Sequence, residues 1–277
     1  MQTLGALLAV DGDSLAHRAY HALPRSIRGA NRRPANAIVG FGNFLLGLWD
    51  AEEPAAVLVA WDTLEEATYR HEALEAYQSG REFDDDLTEQ LDALPAFVES
   101  FGFRTAKKAG YEADDFLAGA VRVWKGPVLV ATSDRDAFQL ASDRVTILQP
   151  VKGVSQIARI GPAEVLERYG VEPAQVPDFI ALRGDSSDRI PGARGVGPKT
   201  AADILRRYGS LDAALSAGRF AAEADDLRLY RRIATMDAKA PVGRLSPGQP
   251  DWQSAAAYAG ELGLNALSKR IAERAGR

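Results

Sequence analysis

The sequence predicts an α/β fold with a mainly parallel central sheet, helices on both of its faces, and an all-helical region after it. Three observations carry this. Short apolar runs alternate with stretches of helical period, the pattern of strands joined by crossover helices. The runs end in acids rather than in tight hairpin turns. After about Tyr169 the apolar runs stop and only helical periodicity continues.

In order, Leu7-Leu8-Ala9-Val10 is a strand ending in Asp11-Gly12-Asp13, and a helix follows through Tyr20. Arg25 to Pro34 is a basic loop, and Asn36 to Trp49 is an apolar helix. Val57 to Trp61 is a second buried strand, ending in Asp62. Thr63 to Asp92 is charged and offers little core. A helix runs from Leu91 towards Phe101, and Phe103 to Ala106 is a short strand. Tyr111-Glu112-Ala113-Asp114-Asp115 opens a helix whose apolar face is Phe116, Leu117, Ala120, Val121 and Trp124. Val128 to Thr132 is a third buried strand, ending in Ser133-Asp134-Arg135-Asp136. Val145 to Leu148 and Val154 to Ile157 are two further short strands.

The 277 residues allow roughly two domains and a sizeable core. There is no cysteine, which excludes disulfides, disulfide-linked partners and thiolate metal sites and fits a cytoplasmic protein. The apolar start is short and runs directly into acids, so it reads as a first strand and not as a signal peptide. No apolar run is long enough to span a membrane. The net charge is −5, but setting aside nine of the 38 acids as candidate ligands leaves 29 against 33 bases. A nucleic-acid partner is therefore compatible with the balance.

Those nine acids are Asp11, Asp62, Glu112, Asp114, Asp115, Asp134, Asp136, Asp185 and Asp188. Ligands of such sheets sit outside the carboxyl ends of the strands, where several of these acids fall. Any one of them reads equally well as a helix cap or a surface acid. Together they would repel one another in a single crevice. Divalent cations remove that cost, and oxygen ligands without Cys or His suit Mg²⁺ or Mn²⁺. So many acids imply two ions, and two ions about 3.5–4 Å apart can hold a phosphodiester and activate water. Gly195-Val196-Gly197-Pro198-Lys199-Thr200-Ala201 reads as a turn between helices. There Gly197 is expected at positive φ, and the next helix start offers N–H groups to a phosphate. His17, His21 and His71 lack ligand spacing.

The chain resembles the 5′-nuclease domain of bacterial DNA polymerase I and the flap endonucleases. The resemblance rests on Val10-Asp11-Gly12, His17-Arg18-Ala19-Tyr20, Trp61-Asp62, Tyr69-Arg70-His71-Glu72, the Glu112 and Asp134 clusters, Gly184-Asp185-Ser186-Ser187-Asp188 and the hairpin, in that order. It implies a PIN-like catalytic domain over residues 1–168 with a helical arch at about 63–95. It implies a helical DNA-binding region over 169–277 containing a helix-hairpin-helix-type motif at 195–201. Asp11, Asp62, Glu112 and Asp114 would lie nearest the first metal. Asp136, Asp185 and Asp188, with Asp134 and Asp115 nearby, would serve the second. Arg70 and Arg81 match arch residues that steer the scissile phosphate. Tyr20 would pack against an unpaired end. Gly195, Gly197, Lys199 and Thr200 would grip duplex DNA, with K⁺ at the hairpin.

Two positions depart from the family pattern. Gln78 stands where the family has a phosphate-contacting lysine, and Arg189 where it favours Asn. The function implied is a metal-dependent 5′→3′ exonuclease and flap endonuclease, expected to act as a monomer on DNA with a free 5′ end, flap, nick or gap. The alternatives are a weakly active DNA-structure-binding relative and, more remotely, a phosphatase using Asp11 as nucleophile.

Overall fold

The computed structural model describes residues 4–63, 66–79, 84–152 and 156–276. Its centre is a six-stranded sheet of order β3-β2-β1-β4-β5-β6. The strands are β1 (Leu7–Asp11), β2 (Ala56–Ala60), β3 (Arg104–Ala106), β4 (Val128–Ala131), β5 (Val145–Lys152) and β6 (Gln156–Ile160). The first five run parallel, and β6 pairs antiparallel with β5. β1, β2 and β4 are buried along their whole length, which is why they read as continuous apolar runs. Chain order reverses direction between β1 and β4, where such sheets open a crevice at their carboxyl edge.

The helices are α1 (Gly12–Ala22), α2 (Asn36–Glu52), α3 (Tyr69–Ala73), α4 (Asp85–Glu99), α5 (Ala113–Val123) and α6 (Pro162–Tyr169). Then follow α7 (Val176–Arg183), α8 (Pro198–Tyr208), α9 (Leu211–Ser216), α10 (Ala224–Ala234), α11 (Trp252–Glu261) and α12 (Asn265–Ala272). Alternate residues of β1 feed two cores. Leu7 and Ala9 pack with α5, α7, α8 and α10. Leu8 and Val10 pack with α1, α2, α4, α11 and α12. The C-terminal helical stretch is therefore divided in space. α11 and α12 return to α2 and α4 on the face away from α8. No helix among the described residues is long and apolar enough to cross a membrane.

The stretch read as an arch holds α3 and α4, and α4 begins at Asp85, earlier than the Leu91 expected from its apolar period. Asp84 caps it, accepting from the Asp86 N–H at 3.0 Å. Asp84 and Asp86 also pair with Arg25 and Arg28 of the basic loop. Arg81 lies outside the described residues.

Candidate active site

The carboxyl edge of the sheet forms the floor of a cleft of about 1160 Å³. Asp11, Asp62, Glu112, Asp114, Asp134, Asp136, Asp185 and Asp188 all line it. Each arrives from the end of an element. Asp11 closes β1 and caps α1, accepting from the Ser14 N–H at 3.0 Å. Its other oxygen accepts from the Thr132 hydroxyl at 2.7 Å, which ties the ends of β1 and β4 together. The Asp134 N–H donates to that same hydroxyl at 3.0 Å, and the Asp136 N–H to Asp134 at 2.8 Å. Asp62, just beyond β2, accepts from the Ala113 N–H at 2.6 Å, at the start of α5.

Burial among like charges is costly, and the carboxyls register it. Burial first, then Asp62 and Asp134, pushes Asp11 up to about 7, against the pull of Thr132 and Ser14. Burial, with Asp115, Glu112 and Asp134, holds Asp114 well above the usual range against the pull of Arg70. Asp136 is raised by burial and by Asp134, Asp188 and Asp185. Asp185 moves the other way: burial opposes its charge, but hydrogen bonds from Ser187 and the Arg183 guanidinium outweigh it.

Asp115 stands apart. It is fully buried and does not line the cleft. It accepts from Arg70 at 3.1 and 2.8 Å, from the Asp237 N–H at 2.7 Å and from the Glu112 N–H at 3.2 Å. Arg70 is 1% exposed and also reaches Glu112 (3.1 Å), Asp114 (3.2 Å) and the Ile233 carbonyl (2.9 Å). The resemblance implies a phosphate partner for Arg70; here it holds carboxylates and also lines the cleft. Glu112 further accepts from Thr68 at 2.8 Å and Tyr77 at 3.0 Å, so residues 68–78 fold down onto the acids. Asp114 keeps Oδ1 buried with no hydrogen-bond partner.

Gln78 sits in the cleft, not in solvent. Its amide donates to Asp188 at 3.2 Å and Tyr77 at 2.9 Å, and its N–H to the Asp188 carbonyl at 3.3 Å. Its φ of 47° is left-handed, as is the φ of 56° at Arg189. Asn tolerates that region better than Arg, a physical reason for the family preference at the second position. Tyr20, on α1, is 1% exposed and part of the core, with Arg25 over its ring at 4.9 Å. At the hairpin the positive φ falls on Gly195 (73°) and Gly192 (75°). Gly197 instead caps α8 at φ −95° in extended backbone, a correction to the reading above, because a helix cap uses the β region. Lys199 and Thr200 are exposed on the first turn of α8, and Lys199 lines the same cleft as the acids.

Asp13 escaped the sequence reading as a site residue. It is 8% exposed, lines the cleft and accepts from the Asp62 N–H at 2.7 Å. The signal was available: it follows Asp11 by two residues at the same strand end. Arg183 escaped it too, because nothing in its local sequence marks it.

The donor set fits divalent cations. It is all carboxylate, several members are held above their ordinary range by burial and then by one another's charge, and the inner oxygen of Asp114 lacks a partner. Among the described residues no three acidic or histidine side chains close tightly enough to enclose an ion. The acids line a cleft and do not converge on one point.

Comparison with known proteins places this geometry. The N-terminal resolvase-like domain of 5′-3′ exonucleases matches residues 6–170, and the C-terminal SAM fold of the same enzymes matches residues 171–251. DNA polymerase I of Deinococcus radiodurans is 42% identical over 210 residues, 74% of this chain and 21% of that protein. Thermostable DNA polymerase I of Thermus thermophilus is 34% identical over 279 residues, 95% of this chain and 33% of its own length. The chain thus spans a third or less of these relatives. Among solved structures, the bacteriophage T5 flap endonuclease, in complex with DNA and metal ions, superposes with a TM-score of 0.71 at 19% identity, covering 98% of this chain and 100% of that one. The catalytic core of Rad2 with a DNA substrate gives 0.62 at 16%, covering 97% and 92%. These two likenesses concern the fold. The sequence matches carry the assignment: the chain belongs to the 5′-3′ exonuclease family.

Proposed function

We propose that this chain hydrolyses DNA phosphodiesters near 5′ ends, as a 5′→3′ exonuclease and flap endonuclease that uses two divalent cations. One observation carries the reading. Acids from the ends of β1, β2, β4, α5 and α7 line a single cleft, and that cleft continues without interruption to Lys199 on α8.

Asp11, Asp62, Glu112 and Asp114 would hold one Mg²⁺ or Mn²⁺, and Asp134, Asp136, Asp185 and Asp188 the other. Held there, such ions would supply positive charge to a phosphodiester and lower the pKa of water. The remaining work belongs to the chain. Thr132, Ser14 and the Ala113 N–H orient Asp11 and Asp62. Arg70 and Asp115 fix the start of α5, and so position Glu112 and Asp114. The hairpin, with Lys199 and the N–H groups of the first turn of α8, takes the backbone of the duplex without reading its sequence. The relatives' polymerase names, and the DNA and metal ions in the two neighbouring structures, are consistent with this substrate.

The test is a duplex with a 5′ flap, labelled at its 5′ end, incubated with Mg²⁺, with Mn²⁺ and with a chelator. Release of short labelled products only with a divalent ion is expected. Intact substrate under all three conditions would remove the reading.

A further inference from the structure

We propose that Arg183 is a phosphate-binding residue, contacting the nucleic-acid strand where it passes from the Asp185–Asp188 acids towards the hairpin. The proposal rests on the function proposed above and adds a contact that neither the resemblance nor the comparisons assign.

Four observations carry it. Arg183 ends α7 and lines the cleft that also holds the acids and Lys199. Its guanidinium is held in place from two sides. Nη2 donates to Asp185 at 2.9 Å, and Cζ stands 5.3 Å from the Phe179 ring and 5.8 Å from the Tyr169 ring. Those rings are themselves stacked at 4.9 Å, so the wall beneath the guanidinium is rigid. Third, the group is under-used. Among the described residues its hydrogen bond goes to Asp185 from Nη2, Nε is buried without a partner, and the side chain is still 23% exposed. A guanidinium has five N–H donors in a planar fork, the shape that matches a phosphate. Fourth, the second arm of the same acid loop is met by a residue without charge. Across the same acid loop, Gln78 reaches Asp188 with a neutral amide.

A purely structural reading makes Arg183 a counter-ion for Asp185. That accounts for one of its donors and for the stacking. It does not account for the placement of the group on the wall of the cleft that Lys199 also lines.

The experiment is equilibrium binding of a fluorescent 5′-flap duplex in Ca²⁺, with affinity measured over a series of salt concentrations. Wild type, Arg183→Met and Arg183→Lys are compared, each first shown to be folded by its thermal unfolding curve. Arg183→Met should bind roughly three- to tenfold more weakly, with the slope of log affinity against log salt reduced by about 0.9, one phosphate contact. Arg183→Lys should keep the slope. A folded Met variant with an unchanged slope overturns the proposal, whatever its cleavage rate. If Arg183→Met does not fold, Arg183→Gln gives the same comparison. If the wild type itself fails to bind the flap duplex, the function proposed above fails, an outcome distinct from an unchanged slope.

Discussion

Arg70 and Asp115 form a two-point ion pair in the interior, Nη1 to Oδ2 at 3.1 Å and Nη2 to Oδ1 at 2.8 Å, with side chains 1% and 0% exposed. Around it meet α3, the start of α5 and the end of α10, through Glu112, Asp114, the Ile233 carbonyl and the Asp237 N–H. Removing one partner of a buried pair leaves an uncompensated charge and costs about 3–5 kcal/mol. Arg70→Met should therefore lower the unfolding midpoint steeply in thermal or denaturant titration. Arg70→Lys should recover little, because an ammonium cannot span Asp115, Asp114 and Glu112 in one plane. The Arg70→Met, Asp115→Leu double variant should be more stable than Arg70→Met alone. Additive losses would show that the two side chains are not energetically coupled.

Asp114 is the acid with an unpartnered inner oxygen. Asp114→Asn should abolish cleavage, by roughly a hundredfold or more, while flap-duplex affinity stays the same or tightens. Stability near neutral pH should not fall, because burial already opposes the Asp114 charge. Single-turnover rates and a binding isotherm check both parts, and wild-type-like turnover would remove the two-ion assignment.

The metal-free protein should lose stability as pH rises. Burial beside Asp62 and Asp134 pushes Asp11 up to about 7 from an ordinary 3.8, so the folded state holds its proton after the unfolded chain has released it. The stabilising contribution is complete below 3.8 and is lost as pH rises through about 7. Asp13, Asp114 and Asp136, raised mainly by burial, act in the same sense. Asp185, held low, loses its contribution only on acidification. In a chelator the melting temperature should be higher at about pH 5.5 than at about pH 8, and Mn²⁺ should restore it at the higher pH. A flat profile in the chelator would contradict this.

Cleavage and DNA grip should separate. Lys199→Ala should weaken binding to duplex-containing substrates equally across sequences and lower the salt slope by about one contact. The chemical step at saturating enzyme should change little, because Lys199 stands on the first turn of α8, the part assigned to the duplex grip. A sequence-dependent loss would count against the hairpin as a backbone grip.

The sheet and the acid edge were legible because both are local. Buried parallel strands write themselves as apolar runs, and acids such as Asp11, Asp62 and Asp134 follow those runs directly. The partners of Arg70 were not legible. Asp115 is 45 residues away and Ile233 163, and only tertiary packing brings them together. The return of α11 and α12 to α2 was hidden for the same reason, since an apolar helix face does not name its neighbour. Gly197 misled because a Gly-X-Gly turn does not say which glycine is left-handed and which is the cap.

Gln78 is where sequence and structure bear on one question. Cleavage builds negative charge on the scissile phosphate, and the family lysine at this position would neutralise part of it. A glutamine here is either a solvent-facing residue of the arch or a missing charge at the acids. The structure places Gln78 against Asp188 in a left-handed turn, inside the cleft, so its side chain is aimed at the acids. Gln donates hydrogen bonds but carries no charge. Gln78→Lys should then raise the single-turnover rate, by about tenfold or more, with little change in flap affinity. Arg183, bonded to Asp185 on the same loop, is one cation placed to offset the deficit. The two charges should be partly redundant, so Gln78→Lys should help more in the Arg183→Met background than in the wild type. Rapid-quench rates of the two variants and their combination decide it: equal gains in both backgrounds mean that Arg183 and residue 78 act on different phosphates, and no gain in either means that the charge at residue 78 does not limit the chemical step.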